Sequence, residues 1–452
     1  MHHWAVTRHP DHAPASARSS TIRPAPRARR SSARPAGAWL ARLAPVLLAL
    51  AVSIAGCGGS SSSGTTAGPS VAPTPTPTPT PTPQPSIYPV PTSQPEPPAA
   101  APAAKLDDAT ATALQKSIDG VRSKYAIPGL SVAVVFPDGA VWAGQSGQAV
   151  TATKTAVTAD TLFSVGSISK TFTGALALRL VEQGAISLDE PLSKYLPKFP
   201  NASKITIRML MNHTSGVRDI FEASIFANFD ANHSTRWTAD KVLALVSRPY
   251  FAPGTNYHYS NTNYIILGQV IEKATGKTVA SLVHSEFLTP LGLDHTYLQW
   301  QETPNDPLAH GYVGSKTNPT DISKGQALIP YVSEATAVGS AGGVVSNAHD
   351  IAIWATALYD GAFLDEAMMA SMTDVTLTAP FKPTLLYGLA LEQLPISGRL
   401  AWGHRGHLDG FWSSVAYFPD ADVTVALLTN SDWINPLTAI ASIIGVLPKP
   451  AS

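Results

Sequence analysis

The sequence predicts an α/β protein of the α+β type: an antiparallel sheet built from both ends of one domain, flanked by helices, with a large helical subdomain inserted. Three observations carry this. Strand-like runs open the globular part, at Gly129 to Phe136 and at Ala140 to Gly144. Others close it, at Trp412 to Phe418 and Val423 to Leu428. The stretch between, 165 to 395, reads mostly as helices joined by polar loops. Strands at both ends with helices between them fit one sheet with an insertion.

The elements follow in order. Asp108 to Tyr125 has helical spacing of its apolar residues. Gly129 to Phe136 alternates and is rich in β-branched residues, Pro137-Asp138-Gly139 is a turn signal, and Ala140 to Gly144 returns as a second strand. Phe172 to Val181 is strongly apolar and ends at Gly184, which reads as a buried helix. A polar, turn-rich stretch, Pro253 to Tyr264, leads into Ile265-Ile266-Leu267-Gly268 and reads as a loop entering a helix. Asn435 to Val446 reads as a final helix.

The N-terminal part has a different character. Residues 1 to 43 hold eight Arg, one Asp and no Lys or Glu, and an apolar run of about 12 residues follows, Leu43 to Ile54. That run is short for a bilayer span, which needs ~20 residues. With small residues before Cys57 it reads as a secretory signal over 1–56, and Ile54-Ala55-Gly56-Cys57 resembles a lipobox. Cys57 is the single cysteine, so no disulfide forms within the chain, and it is the candidate lipid attachment site. Residues 57–104 are Gly/Ser-rich and then Pro/Thr-rich, a flexible to extended linker. At ~3.1 Å per residue its proline-dense part spans on the order of 90 Å. The expectation is an exported protein, lipid-anchored to the membrane and facing the cell wall or periplasm, with peptidoglycan as neighbour. The hydrolase-like domain is 105–452.

Formal charge over the whole chain is zero. Without residues 1–56 it holds 23 basic and 30 acidic residues, about −7. That excludes a nucleic-acid partner on electrostatic grounds.

Three motifs carry chemistry. Ser167-Ile168-Ser169-Lys170 is the only Ser-x-x-Lys and opens the buried helix. Residues i and i+3 share a helix face, so Lys170 stands one turn from Ser167. An amine kept neutral by burial accepts a serine proton. Tyr259-Ser260-Asn261 is the only Tyr-x-Asn, and His404-Arg405-Gly406 the only His-x-Gly. A tyrosine shuttles protons, an asparagine amide orients a substrate amide, and a strand edging a cleft offers backbone N–H groups. Each motif alone also fits a structural role, as a helix cap or a turn.

Together, and in this order, the motifs resemble those of the serine β-lactamase and penicillin-binding family. The likeness is greatest to its class C β-lactamase, D-alanyl-D-alanine carboxypeptidase and family VIII esterase branch. Met211-Asn212-His213-Thr214-Ser215-Gly216, Pro253-Gly254 and Ser340-Ala341-Gly342-Gly343 support it. The resemblance covers roughly residues 108 to 446. It implies Ser167 as nucleophile, Lys170 and Tyr259 as proton carriers, Asn261 orienting the acyl side and His404 supporting Tyr259. The N–H groups of Ser167 and His407 would hold the oxyanion, with Gly406 and Arg405 beside the substrate. The third motif departs from Lys-Thr-Gly. Arg405 in its middle is expected either to pair with a substrate carboxylate or to block that pocket.

The expected reaction is acyl-enzyme hydrolysis of a cell-wall D-Ala-D-Ala peptide or a β-lactam, without metal or cofactor. A carboxylesterase is the alternative, and a non-catalytic binding lipoprotein of the same fold the second. An α/β-hydrolase would need Gly-x-Ser-x-Gly, which the chain lacks. A zinc site at His404, His407 and Asp409 is disfavoured because i and i+3 on a strand point to opposite faces.

Overall fold

A computed structural model describes residues 106–447, except 377, 379 and 382–385. The expectations for the leader 1–56, Cys57 and the linker 57–104 lie outside the described residues. No described helix is long and apolar enough to cross a membrane.

Helix α1, Asp108–Tyr125, starts where the Asp107 carboxylate accepts the Thr110 N–H. Leu114, Ile118 and Val121 are its buried stripe. Strands β1 (Gly129–Val135), β2 (Val141–Val150) and β3 (Thr155–Ala156) follow. Short strands β4 (Phe163–Ser164), β5 (Thr296–Leu298), β6 (Tyr312–Ser315), β7 (Asn318–Asp321) and β8 (Val344–Ser346) lie in the middle of the chain. Strands β9 (Glu392–Ile396), β10 (Arg399–Leu408), β11 (Phe411–Phe418) and β12 (Val423–Thr429) come last.

The main sheet has the order β3-β2-β1-β12-β11-β10-β9, antiparallel throughout. Its two ends of chain meet where β1 pairs β12, Leu130 opposite Thr429 and Val135 opposite Thr424. The sheet thus joins both ends of the domain, as expected. β1 is buried at every position, because a central strand is covered on both faces. Leu130, Val132 and Val134 face α1 and the helix Pro436–Ile444, while Ala133 and Val135 join the larger core against the inserted part.

The inserted part is less purely helical than its composition indicates. β4, β8 and β5 form a small sheet, and β6 and β7 a hairpin. Runs of two to four residues are too short to show a period.

Candidate active site

Ser167 sits in a 3-10 turn, Gly166–Ile168, which feeds helix α2, Ser169–Glu182. The sequence placed it inside the first α-helical turn. Gly166 at φ +50° and the Ser169 hydroxyl, which donates to Gly166 O at 2.6 Å, tighten that turn instead. Ser167 is only half-buried in a run of fully buried neighbours, so its hydroxyl is accessible. α2 is anchored beneath it. Phe172 stacks on Trp354 at 4.3 Å, and Trp354 Nε1 donates to Thr171 Oγ1 at 2.9 Å.

Lys170 is fully buried. Its Nζ lies 2.8 Å from Ser167 Oγ, 2.7 Å from Asn261 Oδ1 and 2.7 Å from Ala341 O. The last two can only accept. A neutral amine therefore gives them its two N–H bonds and turns its lone pair to the serine. Burial lowers the lysine to about 7, against the opposing pull of Asp219 and Glu392. Ala341 belongs to the stretch Ser340 to Gly343, whose turn this bond uses.

Asn261 opens the helix Asn261–Thr275, with Ser260 as its cap residue. Asn261 Nδ2 donates to both oxygens of Asp219, at 3.2 and 3.3 Å, and Asn261 N donates to Oδ1 at 3.0 Å. Its amide is thus committed within the protein on both sides. The arrangement orients Lys170, where the sequence reading had it orient the substrate.

The Tyr259 ring stands 4.9 Å from Lys170 Nζ. Burial pushes its phenol well above 10, and hydrogen bonding with Ser167 opposes this only in part. It keeps its proton at neutral pH and stands beside the serine as a phenol. His213, at 4.3 Å from that ring, holds the loop: its O accepts from His258 N at 3.1 Å and its Nδ1 from Ser260 N at 3.2 Å.

The third motif lies on β10. Pairing with β9 stops at Gly403 opposite Glu392, and beyond it the strand lies against the serine turn. Gly406 makes this possible. A Cβ there would meet Val165 O at 1.9 Å, and one on Gly166 would meet His407 N at 2.6 Å. The His407 backbone N therefore lies beside the turn that carries Ser167, while its side chain is exposed and packs on Trp412 at 4.5 Å.

One expectation needs correction. His404 does not hydrogen-bond Tyr259; the ring centroids are 6.3 Å apart. Its Nδ1 faces Arg405 O, so Nδ1 carries the proton and Nε2 accepts from the Tyr387 hydroxyl at 3.0 Å. Burial lowers it to about 4, so it is neutral, and it positions Tyr387. Of the two roles open to Arg405, the structure shows the Nε–Nη2 edge of its guanidinium turned inward. Its Nε and Nη2 donate to Glu392 at 2.9 and 3.0 Å, a bidentate internal pair.

Sequence reasoning assigned no catalytic part to Tyr387, Glu392 or Asp219. None carries a local signal, because each matters through a contact across the fold.

A serine held against a buried amine, beside a tyrosine and a strand edge, on an antiparallel sheet with an inserted helical part, is the arrangement of the serine β-lactamase and penicillin-binding fold. A profile of the family described as Beta-lactamase matches residues 107–439, and the chain belongs to that family. It is 29% identical over 287 residues to penicillin-binding protein 4* of Bacillus subtilis (strain 168), covering 60% of this chain and 61% of that protein, less than two thirds of its length. It is 26% identical over 363 residues to a beta-lactamase of Escherichia coli (strain K12), covering 72% and 89%. The crystal structure of a D-stereospecific amidohydrolase from Streptomyces sp. matches with TM-score 0.63 at 28% identity, covering 74% of this chain and 98% of that one.

Proposed function

We propose that this protein hydrolyses an amide or ester bond through an acyl-enzyme on Ser167, its acyl side being a D-amino acid or a group resembling one. The observation that carries the chemistry is Lys170: buried, held near neutrality, and turned to Ser167 Oγ at 2.8 Å by two fixed acceptors. The D-configured acyl side rests on the likeness to the Streptomyces amidohydrolase.

Lys170 Nζ takes the Ser167 proton as Oγ attacks the carbonyl carbon. The carbonyl oxygen becomes an oxyanion, met by the backbone N–H groups of Ser167 and His407. The tetrahedral carbon then expels the leaving nitrogen or oxygen, which receives the proton held on Lys170 by way of the Tyr259 hydroxyl. Water repeats the cycle in reverse, giving up a proton to Lys170, and the acid product leaves with Ser167 restored. A D-Ala-D-Ala peptide, a β-lactam and a neutral ester all fit this cycle.

Ser167→Ala is expected to abolish turnover and the mass adduct formed with an activated D-alanine ester, with little change in melting temperature. Turnover retained in that variant would refute the mechanism. The lipobox-like Cys57 and the linker support export and lipid anchoring at the cell wall. Labelled palmitate is expected on the wild-type chain and absent from Cys57→Ser.

A further inference from the structure

Beside the third motif stand two charges that carry no proton in the acyl-transfer cycle, although Glu392 bears on Lys170. Arg405 Nε and Nη2 donate to Oε2 and Oε1 of Glu392, and Arg405 N also donates to Oε2 at 3.0 Å. Glu392 is 5% exposed. Its carboxylate is held on β9 opposite Gly403, at the point where β9 stops pairing with β10.

In the cycle proposed above, the corner that holds this pair falls on the leaving-group side. The departing atom receives its proton from Tyr259, so the departing group passes over that residue. The neighbouring His404 ring is 6.3 Å from the Tyr259 ring, Arg405 comes next on the strand, and the oxyanion N–H of His407 lies two residues beyond. Tyr257 and Tyr259 both lie within the field of Glu392 and Arg405. The two buried imidazoles here, His404 and His213, are kept neutral by burial. Lys170 has each of its bonding directions taken.

A leaving group that ends in a carboxylate would therefore meet a guanidinium whose charge Glu392 already offsets and whose Nε–Nη2 edge is filled. Displacing Glu392 would leave a buried carboxylate unpaired, which costs far more than a surface ion pair returns. An uncharged leaving group meets neither cost. Resting on the acyl-enzyme reading, we infer that the Glu392–Arg405 pair selects substrates with an uncharged leaving group, amides and esters. It discriminates against a leaving group bearing a free carboxylate, whether the last residue of a D-Ala-D-Ala peptide or the fused ring of a β-lactam.

The test uses the full chain and its hydrolysis of N-acetyl-D-alanine p-nitrophenyl ester. N-acetyl-D-Ala-D-Ala and its C-terminal amide, which differ by one charge, are added as competitors. The amide is expected to compete at least about tenfold more strongly than the acid, because the acid must shed water where no uncompensated cation receives it. In Glu392→Gln, which keeps the shape and leaves Arg405 charged, the acid gains on the amide and the ratio closes or inverts. A wild-type protein on which the acid competes as well as the amide overturns the inference, whether or not the variant folds. A folded, ester-cleaving Glu392→Gln protein with the wild-type ratio overturns it too. Absence of ester hydrolysis and of a Ser167 adduct sinks the acyl-enzyme reading itself, a result distinct from both.

Discussion

Lys170 sets the pH at which this site can work. Burial drives its amine down, and Asp219 and Glu392 pull it back, with about 7 as the balance. Only the neutral amine accepts the Ser167 proton. The rate constant kcat/KM is therefore expected to rise with pH through a midpoint near 7 and then level off. Asp219→Asn removes one of the two carboxylates that favour the ammonium, so the midpoint should move to lower pH. A pH profile of the variant checks this, since a merely structural role would lower the rate without moving the midpoint. At this scale much of the site was legible. Ser167 and Lys170 share a helix face, and their relation follows from spacing alone. Asp219 and Glu392, which tune the lysine, lie 49 and 222 positions away from it in sequence. Only the folded chain brings them near, so no spacing rule could find them. The same holds for Arg405: its type suggested a carboxylate partner correctly, but that partner is on the neighbouring strand.

The seam between β10 and the serine turn is the element on which the oxyanion pocket depends. Two features close it. Ser413 Oγ donates to Val165 O at 2.8 Å from the neighbouring strand β11, and Gly406 presents no side chain to that same carbonyl. Gly406→Ala would place a Cβ 1.9 Å from Val165 O and 2.3 Å from Ser413 Oγ. Backbone cannot yield as a flexible side chain does, so the strand must move away from the turn. Overpacking of this kind costs about 1–3 kcal/mol, and a displacement near 1 Å at reacting groups costs on the order of 10²-fold in rate. Gly406→Ala is thus expected to melt a few degrees lower and to lose about 10²-fold in kcat/KM. A variant with wild-type kinetics would mean that the His407 N–H is not part of the oxyanion pocket. The His-x-Gly pattern pointed to this strand from sequence, yet the reason for its glycine is a carbonyl about 240 residues earlier. The strand limits were also only partly readable. The second strand reads as Ala140 to Gly144 but continues to Val150, since the glycines that suggest an end are accommodated within the pairing to β1.

Across the whole molecule, the sheet built from both ends makes the serine site depend on the last strand of the chain. β12 lies between β1 and β11, and all seven of its residues are buried. Val423, Val425, Leu427 and Leu428 belong to the two cores. After it, Ile440 and Ile443 of the helix Pro436–Ile444 cover the face of the sheet that α1 also covers. Each such side chain contributes roughly 1.5–3 kcal/mol when fully buried. The six together match or exceed the ~5–15 kcal/mol by which a domain is stable. The backbone loss adds to this, because β1 would be left with unpaired groups from Leu130 to Val135. A chain ending at Ala421 retains Ser167, Lys170, Tyr259, Asn261 and the whole His404 to His407 stretch. It is nevertheless expected to lack a cooperative melting transition and to form no Ser167 adduct with an activated D-alanine ester. Cooperative melting with adduct formation in that shortened chain would mean that the inserted part and the β9 to β11 strands form the site without β1. The buried register between β1 and β12 argues against that outcome, because the strand order allows β1 to reach β11 only through β12.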